Sequence, residues 1–374
     1  MTSLHELIIY IILILPISTL FVNQSISNKV LFFLSMLALV WVLVKRLTKK
    51  NLMLLSILIF EFFISLEIGG TLKFYNLNDI FYLPQWVLLC VYYSEHLDSF
   101  NNKIQKHSKL MKCCIYLWEI IFVVLRIAMP SMNQEFAHRT ASSAFLIVVM
   151  VWYYSKQTGD KTFNLHMIIP LVAIFWLQVR TYLVIALVVA CMAYYSIFRR
   201  KKYFFATIIP VGCIVIFVVL QTSIGARFTN IQESYYGGVF ATITSSRSVF
   251  WAEDIRAFAT SSWTRKLFGN GYNLIYDVNN RIVNTLIWGH NDIIHILVTN
   301  GVLGLYIYLY SFCSFVRKYV SQVKIDRRLL YMALGALAFC ALFDGLYHYT
   351  CALYAVPFMF NGLREQSGGH NNGF

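Results

Sequence analysis

Long apolar stretches follow one another along most of this 374-residue chain, and short polar segments separate them. A helix of about 20 mostly apolar residues crosses a bilayer, and a shorter one can cross with interfacial flanks. The pattern predicts an all-α integral membrane protein with about 12 transmembrane helices, or 11 if the last segment, which contains Pro357, does not cross. The predicted spans lie at about 7–22, 30–44, 52–69, 80–94, 113–129, 140–155, 165–179, 182–198, 203–220, 293–316, 329–344 and 350–362.

The pattern is interrupted by one long polar segment, residues 221–289. A loop of this length in a tight helical bundle is usually functional. We predict that residues 1–374 form a single membrane domain, that 221–289 form its large extracytoplasmic loop, and that the glycine-rich tail 365–374 is disordered.

A short amphipathic helix is predicted within this loop, beginning near residue 248. Ser245 or Ser246 would cap it, and Arg247 would stand at its N-terminus. We expect the helix to lie on the membrane surface. Its apolar face would be formed by Trp251, Ile255, Phe258 and Ser262.

Composition and charge placement agree with the membrane prediction. The chain is 59% hydrophobic and 13% charged, whereas soluble domains carry about 25% charged residues. With both termini cytoplasmic, 20 of the 31 lysines and arginines lie on the inner side. Inner enrichment of basic residues records membrane orientation, so the net charge of +14 does not indicate a nucleic-acid partner. None of the eight cysteines lies in 221–289, and no metal-ligand spacing is present there.

The basic residues of the outer side are mostly arginines, whose planar fork suits phosphate or carboxylate. They are Arg126, Arg139, Arg180, Arg227, Arg247, Arg256, Arg265 and Arg281. Headgroup contacts and local salt bridges are the alternative, and we favour an anionic ligand for two of them. Arg180 lies in a turn of two or three residues between spans, where a cation near hydrocarbon is costly. Arg247 stands at a helix N-terminus, which favours an anion.

His290 is the candidate general base, because neutral imidazole can accept a proton from a hydroxyl near neutral pH. We expect Gly289 to free the backbone and Asp292 to cap the next helix, which would hold His290 at the outer membrane boundary. The alternative is a histidine that is merely hydrogen-bonded. His295 and His348 have no metal-binding spacing.

Other polar and glycine-rich positions are expected to serve packing. The LFGNGYN segment, 267–273, predicts a tight turn before the chain re-enters the membrane. Gly301 and Gly304 would permit close helix packing. Glu119 and Arg126 share a helix face, which indicates internal polar pairing, with a proton relay as the alternative.

Three pieces of the chain resemble the superfamily of bacterial O-antigen polymerases and ligases, which are polytopic membrane glycosyltransferases. These pieces are VRTYL with Arg180, SSRSVFW followed by LFGNGYN, and GHNDIIHILVTNGVLGLY. The resemblance covers roughly residues 165–316 in detail, and the remainder agrees only in hydropathy.

The resemblance implies glycan transfer from a polyprenyl (undecaprenyl) pyrophosphate carrier to a sugar hydroxyl, on the outer face of the bacterial inner membrane. Arg180 and Arg247 would hold the pyrophosphate, and His290 would activate the acceptor. Such a donor is already activated, so no cofactor is expected. Membrane lipids, a chain-length regulator and a flippase of the same pathway are the expected partners. Further substrate contacts are predicted at Gly289, Asn291, Trp251, Arg256, Arg265 and Arg281.

We predict a polymerase that joins repeat units of an O-antigen, capsule or exopolysaccharide. A ligase that transfers finished glycan to lipid A core shares the mechanism and differs in its acceptor. A flippase or transporter usually has two related halves, and no such repeat is visible. A hydrolase is disfavoured because Glu253 and Asp254 are adjacent and would diverge on a helix.

Overall fold

The computed structural model describes residues 2–21, 47–68, 79–128, 134–197 and 247–364, with isolated positions between 34 and 43 and at 206 and 221. Every named element in this part of the chain is helical. A 3-10 helix, Lys161–Met167, lies between the helices Gln134–Thr158 and Ile168–Trp176. The helices are α1 (Thr2–Phe21), α2 (Lys49–Ile68), α3 (Asp79–Lys106), α4 (Ser108–Ala128), α5 (Gln134–Thr158), α6 (Ile168–Trp176), α7 (Arg180–Ile197), α8 (Arg247–Ala259), α9 (Trp263–Phe268), α10 (Leu274–Val283), α11 (Asp292–Gln322), α12 (Arg327–Phe343) and α13 (Thr350–Leu363).

The predicted apolar segments coincide with helices wherever the structure describes them. By length and composition, two helices of the described chain can cross a membrane, Phe136–Thr158 within α5 and Asp292–Gln322, which is α11. Four other apolar helices are shorter. The count of 12 spans is therefore not confirmed. Most of the predicted spans 30–44 and 203–220, loop residues 222–246 and tail 365–374 lie outside the described residues.

Helices α5 and α13 form the centre of the bundle. Residues 140–153 of α5 and 351–363 of α13 are buried along their whole length. Trp152 packs against Gly362, where an added Cβ would lie 3.1 Å from the indole. A helix that is apolar on all sides and buried on all sides belongs to the core of a bundle.

Helices α2 and α4 lie at the periphery and expose large apolar side chains. Met53 and Phe63 of α2 are 65% and 63% exposed, and Ile120 and Ile127 of α4 are 62% and 79% exposed. Contiguous exposed apolar surface on a helix face marks a surface that contacts lipid or another protein.

Helix α11 is interrupted at Gly301, whose φ of 69° lies in the left-handed region. The turn in LFGNGYN fits against this break. Asn270 N donates to Val298 O (2.9 Å), and Gly271 N donates to Thr299 O (3.2 Å). A Cβ on Gly301 would collide with the backbone of Leu267. The expected tight turn and close packing are confirmed, and the turn satisfies carbonyl groups at the break.

Candidate functional site

A strap, residues 284–291, joins α10 to α11 and carries His290. Trp251 Nε1 of α8 donates to Gly289 O at 2.7 Å, and Asn279 Nδ2 of α10 donates to Ile287 O at 3.0 Å. His290 itself has a φ of 48°. A non-glycine residue in this region is strained, so the surrounding contacts must hold it there.

Two expectations about this strap were wrong. Gly289 is required for space, because an added Cβ would lie 2.8 Å from Ile275 Cδ1, and the left-handed residue is His290. The cap of α11 is Asn291, whose side chain accepts from Ile294 N at 3.0 Å. Asn291 was predicted to contact substrate, and the structure shows that its Oδ1 caps α11.

Asp292 is buried and fixes a second loop, residues 344–349. Its Oδ2 accepts from Leu346 N (2.7 Å), Tyr347 N (3.2 Å) and Tyr308 Oη (3.3 Å). This arrangement explains why Asp292 does not cap α11, since its carboxylate points across to the neighbouring loop. The loop in turn presents Asp344 toward the strap.

Asp344 is the centre of the site. Its carboxylate is fully buried and faces three cationic or protonatable side chains. Arg247 Nη2 lies 3.3 Å and His290 Nδ1 lies 3.4 Å from Oδ1, while His138 Nδ1 lies 3.1 Å from Oδ2. Arg247 Nη1 also contacts the Phe343 carbonyl. Four elements distant in sequence, the starts of α5 and α8, the strap and the end of α12, therefore meet at one carboxylate.

The electrostatic state of the cluster follows from burial and these contacts. The buried Asp344 carboxylate lies beside the Arg247 guanidinium and the His138 imidazole, and an opposite charge at this distance favours its ionised form. Burial and, to a lesser extent, the Arg247 charge lower the pKa of His290 to about 4, although Asp344 opposes both. At neutral pH the site contains an ionised Asp344, a charged Arg247 and a neutral His290.

Aromatic rings surround this cluster. Trp288 stacks on His348 with centroids 3.9 Å apart and lies 4.6 Å from His290. Tyr349 stacks on His138 at 6.1 Å. These rings exclude water from one side of His290 and explain its depressed pKa.

Arg180 is the first residue of α7, after a three-residue turn in which Gln178 has a φ of 57°. The expected short turn is confirmed. Tyr182, two residues later, packs against Tyr349 at 5.9 Å. Arg180 therefore enters the bundle at the end that contains Asp344.

The structure does not bring the remaining predicted arginines to this cluster. Arg256 is 74% exposed and pairs with Glu253 at 3.1 Å on the same helix. Arg265 and Arg281 lie exposed on α9 and α10. Trp251 anchors the strap through its indole. Ile255 of the predicted apolar face is 47% exposed, the buried positions of α8 are Phe250 and Asp254, and Ser262 lies beyond the end of the helix at Ala259.

The predicted pairing of Glu119 with Arg126 was also wrong. Both oxygens of Glu119 lie 3.2 Å from His166 Nδ1, and Arg126 lies over the Trp176 ring at 4.2 Å. Side chains seven residues apart are two helical turns apart, so closer partners on neighbouring helices take their place.

Sequence reasoning missed His138 and the role of Asp344. Both lie at the predicted outer end of a span, as His290 does, and that shared position was the available signal. Among the described residues, no group of His, Cys, Asp and Glu is arranged to hold a metal ion.

No family model and no curated protein matches this chain.

Proposed function

We propose that this protein is a polysaccharide polymerase of the bacterial cytoplasmic membrane that joins oligosaccharide repeat units carried on polyprenyl pyrophosphate. The observation that carries the proposal is the Asp344 carboxylate, which holds a charged arginine beside a neutral histidine. A fixed cation and a neutral base at one position are what transfer of a glycan from a pyrophosphate to a hydroxyl requires.

In the proposed reaction the acceptor hydroxyl oxygen forms a bond to the anomeric carbon, and the bond from that carbon to the pyrophosphate oxygen breaks. His290 accepts the hydroxyl proton. Negative charge grows on the departing pyrophosphate. The positive charge of Arg247 stabilises it, together with that of Arg180 at the same end of the bundle. Interactions that strengthen as charge develops lower the barrier.

Asp344 has two roles in this proposal. It holds Arg247 and His290 in fixed positions, which avoids reorganisation when charge develops. It also stabilises the imidazolium that forms when His290 takes the proton, because an opposite charge within about 4 Å favours the charged form. The aromatic side of the site would exclude water that competes with the acceptor.

The proposed topology has 12 spans, cytoplasmic termini and an extracytoplasmic segment that contains α8, α9 and α10. The exposed apolar faces of α2 and α4 support a lipid environment for the bundle. Cysteine labelling tests the orientation in a background that lacks the exposed Cys113 and Cys313. Thr285→Cys should label from outside intact cells and Ser321→Cys should not, and reversed labelling would overturn the mechanism.

Glycan length in a deletion strain tests the function. Complementation with wild type should restore a ladder, whereas His290→Ala or Arg247→Ala, present in the membrane, should leave a single repeat unit on the core. Arg256→Ala is the matched control on the same helix and should restore the ladder. Full-length polymer left on its lipid carrier would identify a ligase, and loss of all outward-facing repeat units would identify a flippase.

A further inference from the structure

Asp254 is a fully buried carboxyl group on α8, whereas the other charged side chains of α8, α9 and α10 are exposed or half-buried. Neither of its oxygens has a hydrogen-bond partner among the described residues. Buried polar atoms are nearly always hydrogen-bonded, and an ionised carboxylate without donors is costly to bury. The protonation state that removes this conflict is the neutral acid.

The polar side chain nearest to Asp254 is that of Asn279 on α10, which approaches the carboxyl group. Its Nδ2 donates to Ile287 O, and its Oδ1 receives no hydrogen bond from the described residues. Asp254 Oδ2 also lies close to Gly289, since a Cβ there would be 3.4 Å away. A neutral carboxyl group has a proton that it can donate to Asn279 Oδ1, which an ionised carboxylate does not have.

We propose that Asp254 is held as a neutral carboxylic acid against the Asn279 carboxamide, and that this pair positions the strap that carries His290. Asn279 binds the strap at Ile287, and Trp251, one turn before Asp254 on α8, binds it at Gly289. The two hydrogen bonds that hold the strap, from Trp251 and from Asn279, therefore both start from the interface between α8 and α10, where Asp254 lies. The assignment rests on this packing and does not depend on the proposed function.

The surrounding charges agree with a neutral Asp254. Burial is the largest cause that raises the pKa of Asp254 to about 8; the Asn279 amide opposes this rise by less, and the charge of Glu253 adds to it. Of the charged and titratable groups on the elements around it, Glu253 is the one whose charge acts on this pKa. The others are Arg247 and Arg256 on α8, Arg265 and Lys266 on α9, Tyr276, Asp277 and Arg281 on α10, His290 on the strap, and Asp292 and His295 in the first turns of α11.

The proton linkage has a defined sign. In the unfolded chain the carboxyl group titrates near 3.8, and in the folded chain near 8. Between these values the unfolded state has lost a proton that the folded state keeps, so stability falls as pH rises. Above about pH 8 both states are ionised and this dependence ends. One proton of difference changes the ratio of folded to unfolded protein by up to about tenfold per pH unit.

The test compares thermal unfolding of the purified full-length protein and of Asp254→Asn from pH 5 to 9. Asparagine keeps the shape and the donor and cannot ionise. The Tm of the variant should therefore exceed that of wild type by a margin that grows up to about pH 8 and then stays constant. Glu253→Gln, on the exposed side of the same helix, controls for the loss of one negative charge. A margin that does not change with pH would overturn the proposal, as would a variant that does not fold.

Hydrogen exchange of residues 284–291 tests the positioning role. At pH 9 the strap should exchange faster in wild type than in Asp254→Asn, and at pH 6 the two should exchange alike. Equal exchange at both values would show that Asp254 does not hold the strap. Loss of the glycan ladder from Asp254→Leu, with Asp254→Asn retaining it, would then connect the strap to activity. Failure of the proposed function would leave the unfolding and exchange results unchanged.

Discussion

Replacement of Asp344 by Asn should destabilise the protein more than any other single charge removal at the site. The side chain is isosteric, so packing is preserved, but Arg247 loses its counter-charge. The Asp344 side chain is 0% exposed and that of Arg247 is 15% exposed, so solvent cannot replace the lost carboxylate. Removal of one partner of a buried ion pair typically costs about 3–5 kcal/mol. We expect a loss of about 3 kcal/mol, because asparagine still accepts one hydrogen bond.

The Arg256–Glu253 pair on the same helix provides the internal control. Its contact of 3.1 Å is shorter than the 3.3 Å contact of Arg247 with Asp344, but its side chains are 74% and 41% exposed. Exposed helical pairs contribute about 0.3–0.5 kcal/mol. If burial determines how much an ion pair contributes to stability, Glu253→Gln should lower the free energy of unfolding by less than about 0.5 kcal/mol, although its contact is the shorter one.

The assay is reversible denaturant unfolding of the detergent-solubilised protein, with a double-mutant cycle over Arg247→Gln and Asp344→Asn. The double variant should lose less stability than the sum of the single variants, because neither charge is then left alone. If Asp344→Asn unfolds within about 0.5 kcal/mol of wild type, or if the cycle is additive, the carboxylate does not organise the site.

Further effects on stability are expected at one histidine and two glycines. His290 has a depressed pKa of about 4, so between pH 6.5 and 4 the unfolded state takes up a proton that the folded state does not, and stability should fall as pH falls. His290→Gln removes this dependence, so the difference in Tm between wild type and variant should shrink from pH 7 to pH 5; a constant difference would contradict the burial of a neutral ring. Gly301→Ala should cost about 2–4 kcal/mol in thermal unfolding, because φ is 69° and the new Cβ meets the Leu267 backbone. Gly335→Ala, where nothing lies within 4 Å, should stabilise α12 by about 0.5–1 kcal/mol, and equal effects at the two glycines would refute the steric argument.

The positions of the apolar helices were predictable from the sequence, because a long apolar run is a continuous local signal. The short turn before Arg180 was predictable for the same reason, since it separates two such runs. The short polar helices α9 and α10 carry no such signal and were not predicted. The apolar pattern did not determine how many helices cross a membrane. Length and composition identify two spans among the described helices, and several apolar helices are shorter than a bilayer requires.

The contacts of the site were less predictable, because each depends on elements far apart in the chain. Asn291 and Asp292 are equally suited to cap α11, and the Asp292 carboxylate turns away because it accepts from Leu346 N, Tyr347 N and Tyr308 Oη. His138 and His290 have no relation in sequence, and both are placed by Asp344. Local pattern therefore predicted the candidate base and not the carboxylate that orients it.

The outer arginines illustrate the same limit and suggest how to resolve it. Arginine bias toward one side of a membrane indicates anionic partners, but it does not separate a binding residue from a solvated one. Arg247 and Arg256 lie on one helix and both contact a carboxylate, so partner and distance do not distinguish them. Burial distinguishes them, because the Arg247 side chain is 15% exposed and that of Arg256 is 74% exposed. An anion that approaches Arg247 would meet a buried guanidinium that Asp344 holds in place, whereas one that approaches Arg256 would meet a pair screened by solvent.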